Sequence, residues 1–291
     1  MSRAEYAAIP AINWSTLKEM AVSPRFYRWR LAHPAKSKPA YRLGNAAHCA
    51  VFEPEKFDGR YVVLDIDTIG ELAPARNTKA GKAIIEAHPE WAALSSDDYK
   101  AAAVRAEYPD KELITDTERD DALAMRESVY AHPVARELLR GGLAEETVTW
   151  TDERTGLACK GRLDYLRPGF VLDAKSTRDP SPRQFERAAA AYGYFGQCLF
   201  YHDGAVAARR IDGNTHPVII AIRNCDDFDV AVYRIDSQAM EAGRATYRAY
   251  LDKLAQCTAA DYWPGVAPEL RLLGCPPWAT PEIESTSEEG F

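Results

Sequence analysis

Apolar and polar positions divide the chain into four stretches. In the first, residues 12–54, the spacing of Trp14, Leu17 and Met20 predicts a short helix capped by Asn13 or Ser15. Ser23-Pro24 breaks or restarts it, because proline suits a first helical turn. A further helix is expected over 43–52. The second stretch, about 60–142, opens with a strand at 61–64 and then reads as helical, with breaks at Pro89 and Pro109. Residues 115–139 read as one or two helices interrupted near His132-Pro133. In the third stretch, 147–151, 160–166 and 170–175 read as strands, the last two joined by the turn Arg167-Pro168-Gly169. Ser181-Pro182 then opens one long helix reaching about residue 201. The fourth stretch has strands at 217–223 and 229–235 around a polar turn, and a helix from 237 to about 254.

Composition narrows the classes. The chain has 291 residues with 46% hydrophobic content, enough for a real core. No apolar run approaches the ~18 residues of a membrane helix. The N-terminus has no basic segment leading into an apolar one, so a cytoplasmic protein is expected, with no membrane partner. The six cysteines include no Cys-x-x-Cys pair, which removes zinc spacing and favours buried thiols. A net charge of −7 argues against coating nucleic acid by bulk electrostatics, although local charge decides a footprint. One such local run exists. Arg25, Arg28, Arg30, Lys36, Lys38 and Arg42 occur without an intervening acid, interleaved with Phe26, Tyr27, Trp29 and Tyr41. These groups could hold phosphates and stack on an unpaired base, or form a solvated helix face with its aromatics in the core.

Candidate chemistry sits on the third stretch. With 167–170 as the loop, Asp164 falls opposite Asp173, and Asp173 and Lys175 share a strand face. Opposed β-carbons are roughly 5 Å apart, so two carboxylates there repel unless a cation lies between them. Magnesium suits such a place, with carboxylates, water and substrate phosphate as ligands. Asp-x-Lys alone also fits an ordinary surface hairpin, yet both acids are embedded in apolar runs, where ionised groups need a reason. Gln197 and Tyr201, four residues apart on a helix, share a face. His48 follows the small residues Gly44-Asn45-Ala46-Ala47, which let a helix approach another element closely.

Together and in order, Gly44…His48, Gly161…Asp164, Asp173…Lys175 and Gln197…Tyr201 resemble the RecB-like branch of the PD-(D/E)XK nucleases. Ser15-Thr16-Leu17 and Ser23-Pro24-Arg25-Phe26-Tyr27 resemble that branch's N-terminal signature, and the chain is most similar to RecE-type exonuclease VIII and its phage relatives, down to Pro276-Pro277-Trp278. The resemblance implies an α/β fold with a restriction-endonuclease-like core: a mixed central sheet flanked by helices, plus a mainly helical N-terminal region. It implies one nuclease domain over 1–278, in which 12–54 carries the motif histidine, 60–142 is a helical insertion or cap and 145–255 is the catalytic core. Residues 279–291 are then an acidic flexible tail.

For function, the resemblance implies a metal-dependent exonuclease on the ends of linear double-stranded DNA, processive and linked to phage-type recombination. His48, Asp164, Asp173 and the backbone carbonyl of Ala174 would bind Mg²⁺, with Mn²⁺ able to substitute. Asp164, Asp173, Lys175, Gln197 and Tyr201 form the catalytic set, with Lys175 orienting water and offsetting charge on the phosphorane. Glu145 or Glu146 are candidates for a second ion. Arg25, Arg28, Trp29, Lys36, Lys38 and Arg42 are the DNA-binding candidates. Ser23 stands where many members carry the first cysteine of an iron–sulfur cluster, so no cluster is expected. Relatives form rings on DNA and suggest a homo-oligomer and a single-strand annealing partner. The alternatives are a RecB-like endonuclease or single-strand nuclease, or a nuclease-like DNA-binding protein without catalysis.

Overall fold

The computed structural model describes residues 1, 3–34, 40–63, 66–276 and 279. The chain opens with helices α1 (Arg3–Ala8), α2 (Trp14–Leu17) and α3 (Pro24–Ala32), the last two joined by a 3-10 turn at Lys18–Ala21. Asn13, not Ser15, caps α2 through its side-chain oxygen, and Ser23 caps α3 just before the first-turn proline. Helix α4 (Ala40–Phe52) follows, then α5 (Phe57–Arg60), strand β1 (Tyr61–Val63), α6 (Ile66–Leu72), α7 (Lys79–Ala87) and α8 (Ser96–Glu107). Strand β2 (Glu112–Ile114) pairs in parallel with β1, and a reciprocal Thr115–Glu118 capping box starts α9 (Asp116–Ala131). Helix α10 (Pro133–Leu138) begins at the expected His132-Pro133 break.

The central sheet contains β3 (Leu143–Thr151), β4 (Ala158–Arg167), β5 (Phe170–Thr177), β6 (Val218–Arg223) and β7 (Val230–Arg234), in that order across the sheet. Only the β5–β6 pair is parallel. That pair requires a crossover, which α11 (Pro182–Tyr192) and α12 (Tyr194–Ala207) provide, and α13 (Ser237–Ala260) follows β7. This is the mixed sheet flanked by helices that the sequence motifs implied. Alternate residues of the sheet serve two cores. Leu172, Val218, Ile220 and Ile222 pack with α4 and α9 on one face. Ile219 and Ala221 pack with α12 and α13 on the other. Residues of α6 to α8 hold a smaller cluster of their own around Ala73, Tyr99 and Ala103.

One ladder is cut short. β4 pairs with β3 along most of its length, but with β5 only through Tyr165↔Leu172, Leu166↔Val171 and Arg167↔Phe170. One step beyond Tyr165↔Leu172 the two strands part, with Asp164 on one prong and Asp173 on the other.

Several expectations are corrected. The single helix expected from Ser181 to about Tyr201 is two helices, because Gly193 adopts φ 71 and its N–H caps α11 on Ala189 and Ala190. β2 is a strand within the stretch expected to be helical, since three residues carry too little period to register. β3 starts four residues before the expected 147, its opening disguised by the irregular Glu145, φ 53. Of the six cysteines, Cys225 and Cys275 are exposed rather than buried. Leu64, Pro277, Trp278 and the tail from 280 lie outside the described residues.

A β-carbon in the left-handed region costs about 1–2 kcal/mol. Gly193→Ala is therefore expected to lower the unfolding free energy by about 1 kcal/mol in a urea titration. An unchanged value would show that the break does not depend on glycine.

Candidate active site

The site is built in the fork between β4 and β5. Where the ladder ends, the side chain of Asp164 takes over: its Oδ2 accepts the backbone N–H of Ala174 at 2.9 Å. On β5, Leu172 and Ala174 pack toward α4 and Val171 toward α12, so Asp173 and Lys175 point toward α12. There Lys175 Nζ lies 2.5 Å from Asp173 Oδ2 and 5.1 Å from the centre of the Tyr194 ring. Gln197 Nε2 donates to Asp173 Oδ1 at 3.3 Å.

His48 enters from the opposite side. Buried Ala46, Ala47, Cys49 and Ala50 seat α4 against the sheet, and a β-carbon at Gly44 would stand 3.2 Å from Ser176 Oγ. This close seating brings His48 Nε2 to 3.0 Å from Asp164 Oδ2, while Nδ1 lies 3.1 Å from Glu145 Oε1. The other carboxylate oxygen of Glu145 ion-pairs with Arg162 Nε. Tyr201 reaches β4 only because Gly161 is bare: a β-carbon there would meet its ring at 2.9 Å.

Charge is crowded and largely cut off from water. Burial, and then the neighbouring charge of Asp164, push the Asp173 carboxyl up to about 6. Burial also opposes ionisation of Asp164, but the charge and hydrogen bond of His48, with Lys175 behind, more than offset it and hold its pKa below the usual value. Burial works against protonated His48, yet Asp164 and Glu145 raise its pKa overall. Lys175 is likewise raised despite burial, by Asp173 and Asp164, and stays an ammonium. Burial pushes the Tyr201 phenol well up, so it stays protonated.

This donor set suits a divalent cation. His48, Glu145 and Asp164 each offer one ligand atom, all within 4.8 Å of one another. Imidazole with carboxylate oxygens accepts Mn²⁺ as well as Mg²⁺. Asp173 is raised by burial first and by the charge of Asp164 second, and Lys175 does not fully offset the two. Asp173 itself is tied to Lys175 and Gln197 rather than standing in the tight group of three.

The basic run of α3 lies elsewhere. Arg28 pairs with Asp261 at 3.2 Å and covers the Trp263 ring at 5.3 Å, and the Arg25 N–H donates to the Pro264 carbonyl. Trp29, 47% exposed, stacks on His33 at 4.5 Å. Tyr27 is buried, as the core-facing reading of the aromatics expected. Arg42, on α4, pairs with Glu118 at 2.9 Å. Lys36 and Lys38 lie outside the described residues, and Glu146 pairs with Arg210 at 2.7 Å, away from His48. Sequence reasoning missed Arg162 and Tyr194. Tyr194 had one available signal, its position one helical turn before Gln197 on the same face. Arg162 had none.

A family model described as a PDDEXK-like domain of unknown function (DUF3799) matches residues 13–272. Among solved structures, one from Eubacterium rectale named "Putative exonuclease" superposes with a TM-score of 0.56 at 11% identity, covering 95% of each chain. A phage-related exonuclease from Haemophilus somnus 129PT is 12% identical, covers 70% of this chain and 98% of its own, and has a TM-score of 0.29. No curated protein sequence matches the chain.

The pH dependence follows from Asp173. Below about pH 4 its carboxyl is protonated folded and unfolded alike, and nothing is lost. As pH rises through about 6 the buried group ionises, and the metal-free protein loses that stability. A divalent cation bound beside Asp173 would offset the loss. Mg²⁺ should therefore raise the melting temperature clearly at about pH 7.5 and little at about pH 5. Equal shifts at both values, read by scanning fluorimetry, would contradict this assignment of charge.

Proposed function

We propose that this chain, which belongs to the PDDEXK-like family DUF3799 and hence to the PD-(D/E)XK superfamily, is a divalent-metal-dependent deoxyribonuclease. The observation that carries the reading is the meeting of His48, Asp164, Asp173 and Lys175 in one strand fork. His48, Asp164, Asp173 and the Ala174 carbonyl hold Mg²⁺, with Mn²⁺ as a substitute. When bound, the cation supplies Lewis-acid stabilisation of charge developing on a phosphodiester.

The chain's own residues do the rest. Lys175, kept charged by its two acidic neighbours, donates toward the scissile phosphate and orients the attacking water. Gln197 steadies Asp173, and the protonated Tyr201 offers a hydrogen bond to the phosphate or water. Leu163, Val171 and Cys198 wall the aspartates on the α12 side and keep bulk water from them.

The substrate we infer is the end of linear double-stranded DNA, degraded processively by a ring of subunits and linked to phage-type recombination beside an annealing protein. This finer reading rests on the resemblance of the ordered motifs to RecE-type exonucleases. A ring suits a chain of net charge −7, since encirclement retains DNA without a strongly basic surface. The exposed Trp29 and the arginines of α3 and α4 are the proposed DNA flank. Residues 1–278 act as one nuclease domain in this reading.

End-labelled linear duplex incubated with Mg²⁺ tests it. Wild type should release nucleotides from one labelled end and leave covalently closed circles intact. Lys175→Ala should cut at least about 10²-fold more slowly. Cleavage of closed circles would point to the endonuclease alternative, and DNA binding without any cleavage to a non-catalytic protein.

A further inference from the structure

Glu145 occupies an unusual place in β3. The flanking pairs Ala144↔Tyr165 and Glu146↔Leu163 set it opposite Asp164. Its φ of 53 is left-handed, a conformation that costs a side-chain-bearing residue about 1–3 kcal/mol. The strand's alternation shows the consequence. Ala144 packs toward the α4 face, whereas Val148 packs toward α12. Residues four apart on an unbroken strand share a face, so the backbone at Glu145 reverses the facing. β4 breaks at the same level: Leu163 faces α12, while Tyr165 faces α4. The irregularity is matched across two strands, and the Glu145 side chain emerges from it beside His48.

Both carboxylate oxygens are then engaged, Oε1 by His48 Nδ1 at 3.1 Å and Oε2 by the guanidinium of Arg162. The side chain is only 10% exposed. His48 is thus gripped by different acids on its two ring nitrogens, with Nε2 turned to Asp164. The guanidinium takes Oε2, so Oε1 alone is turned to the imidazole. A carboxylate on the far nitrogen fixes the tautomer and raises the donor strength of the near one.

We propose that Glu145 is a positioning residue: it holds the Nδ1–H of His48 so that the Nε2 lone pair faces the divalent cation, and Arg162 anchors it. The role of the cation in this statement rests on the nuclease reading. The role of the strained backbone is to deliver a carboxylate where a regular strand would turn it away.

Isothermal titration of Mn²⁺ into the full chain tests this apart from catalysis. Glu145→Gln keeps an acceptor oxygen and should bind within about threefold of wild type, while Glu145→Ala should bind about 10–100-fold more weakly. Glu145→Gly separates positioning from folding. It relieves the left-handed backbone, so its melting temperature should match or exceed that of Glu145→Ala, while its Mn²⁺ affinity should be equally poor. Glu146→Gln, whose acid pairs with Arg210 instead, should bind as wild type does. Long-range ¹H–¹⁵N spectra of Mg²⁺-loaded protein, with His48→Gln to assign the signal, should show the Nδ1–H tautomer in wild type and a mixture in Glu145→Ala.

Unchanged affinity and tautomer in Glu145→Ala would overturn the proposal. So would complete loss of binding in both Glu145→Ala and Glu145→Gln, which would make Glu145 a ligand. If wild type binds no Mn²⁺, the proposal and the metal site fall together. If it binds Mn²⁺ with these differences but cuts no DNA, only the nuclease reading falls.

Discussion

Two carboxylates stripped of most of their water stand at the mouth of a strand fork, and the surrounding structure is arranged around the positive charge they require. Coulomb repulsion between such neighbours grows as the local dielectric falls. Lys175 answers it on the Asp173 side and His48 on the Asp164 side. Burial first, and the charge of Asp164 second, still keep Asp173 hard to ionise beside an ammonium 2.5 Å away. The proposed divalent cation would add positive charge at this place.

The sheet makes the fork possible. β4 and β5 share three pairs and then diverge, which exposes Asp164 to a helix on one face and leaves Asp173 turned to a helix on the other. Each flanking helix is seated by small residues: the alanines of α4, and Gly161 beneath Tyr201. The parallel β5–β6 pair demands a crossover, and that crossover contributes Gln197 and Tyr201. Topology and chemistry are therefore coupled. The same connection that closes the sheet carries the groups facing Asp173.

Much of this was legible in the residues. The Arg167-Pro168-Gly169 turn set the hairpin register, and with it the level of Asp164 against Asp173. Period-2 spacing put Asp173 and Lys175 on one face, and period-3.6 spacing put Gln197 and Tyr201 on another. What stayed hidden was non-periodic. Gly193 looks like any small residue in a helical run until its left-handed backbone splits the helix. Glu145 disguised the start of β3 for the same reason, since a residue that reverses strand facing also erases the alternation by which strands are read. The pairing of Arg162 with Glu145 depends on that reversal and left no trace in spacing. Nor did spacing show what the α3 arginines touch within the fold: Arg28 contacts Asp261 and Trp263, far along the chain.

The central claim is that side chains from α4, β4 and β5 share one cation. Anomalous diffraction from crystals soaked in Mn²⁺ measures this directly. The account predicts a peak in the fork, at about 2.0–2.3 Å from His48 Nε2 and from oxygens of Asp164 and Asp173. A peak that leaves His48 outside its coordination sphere, or no peak in the fork at saturating Mn²⁺, would contradict it.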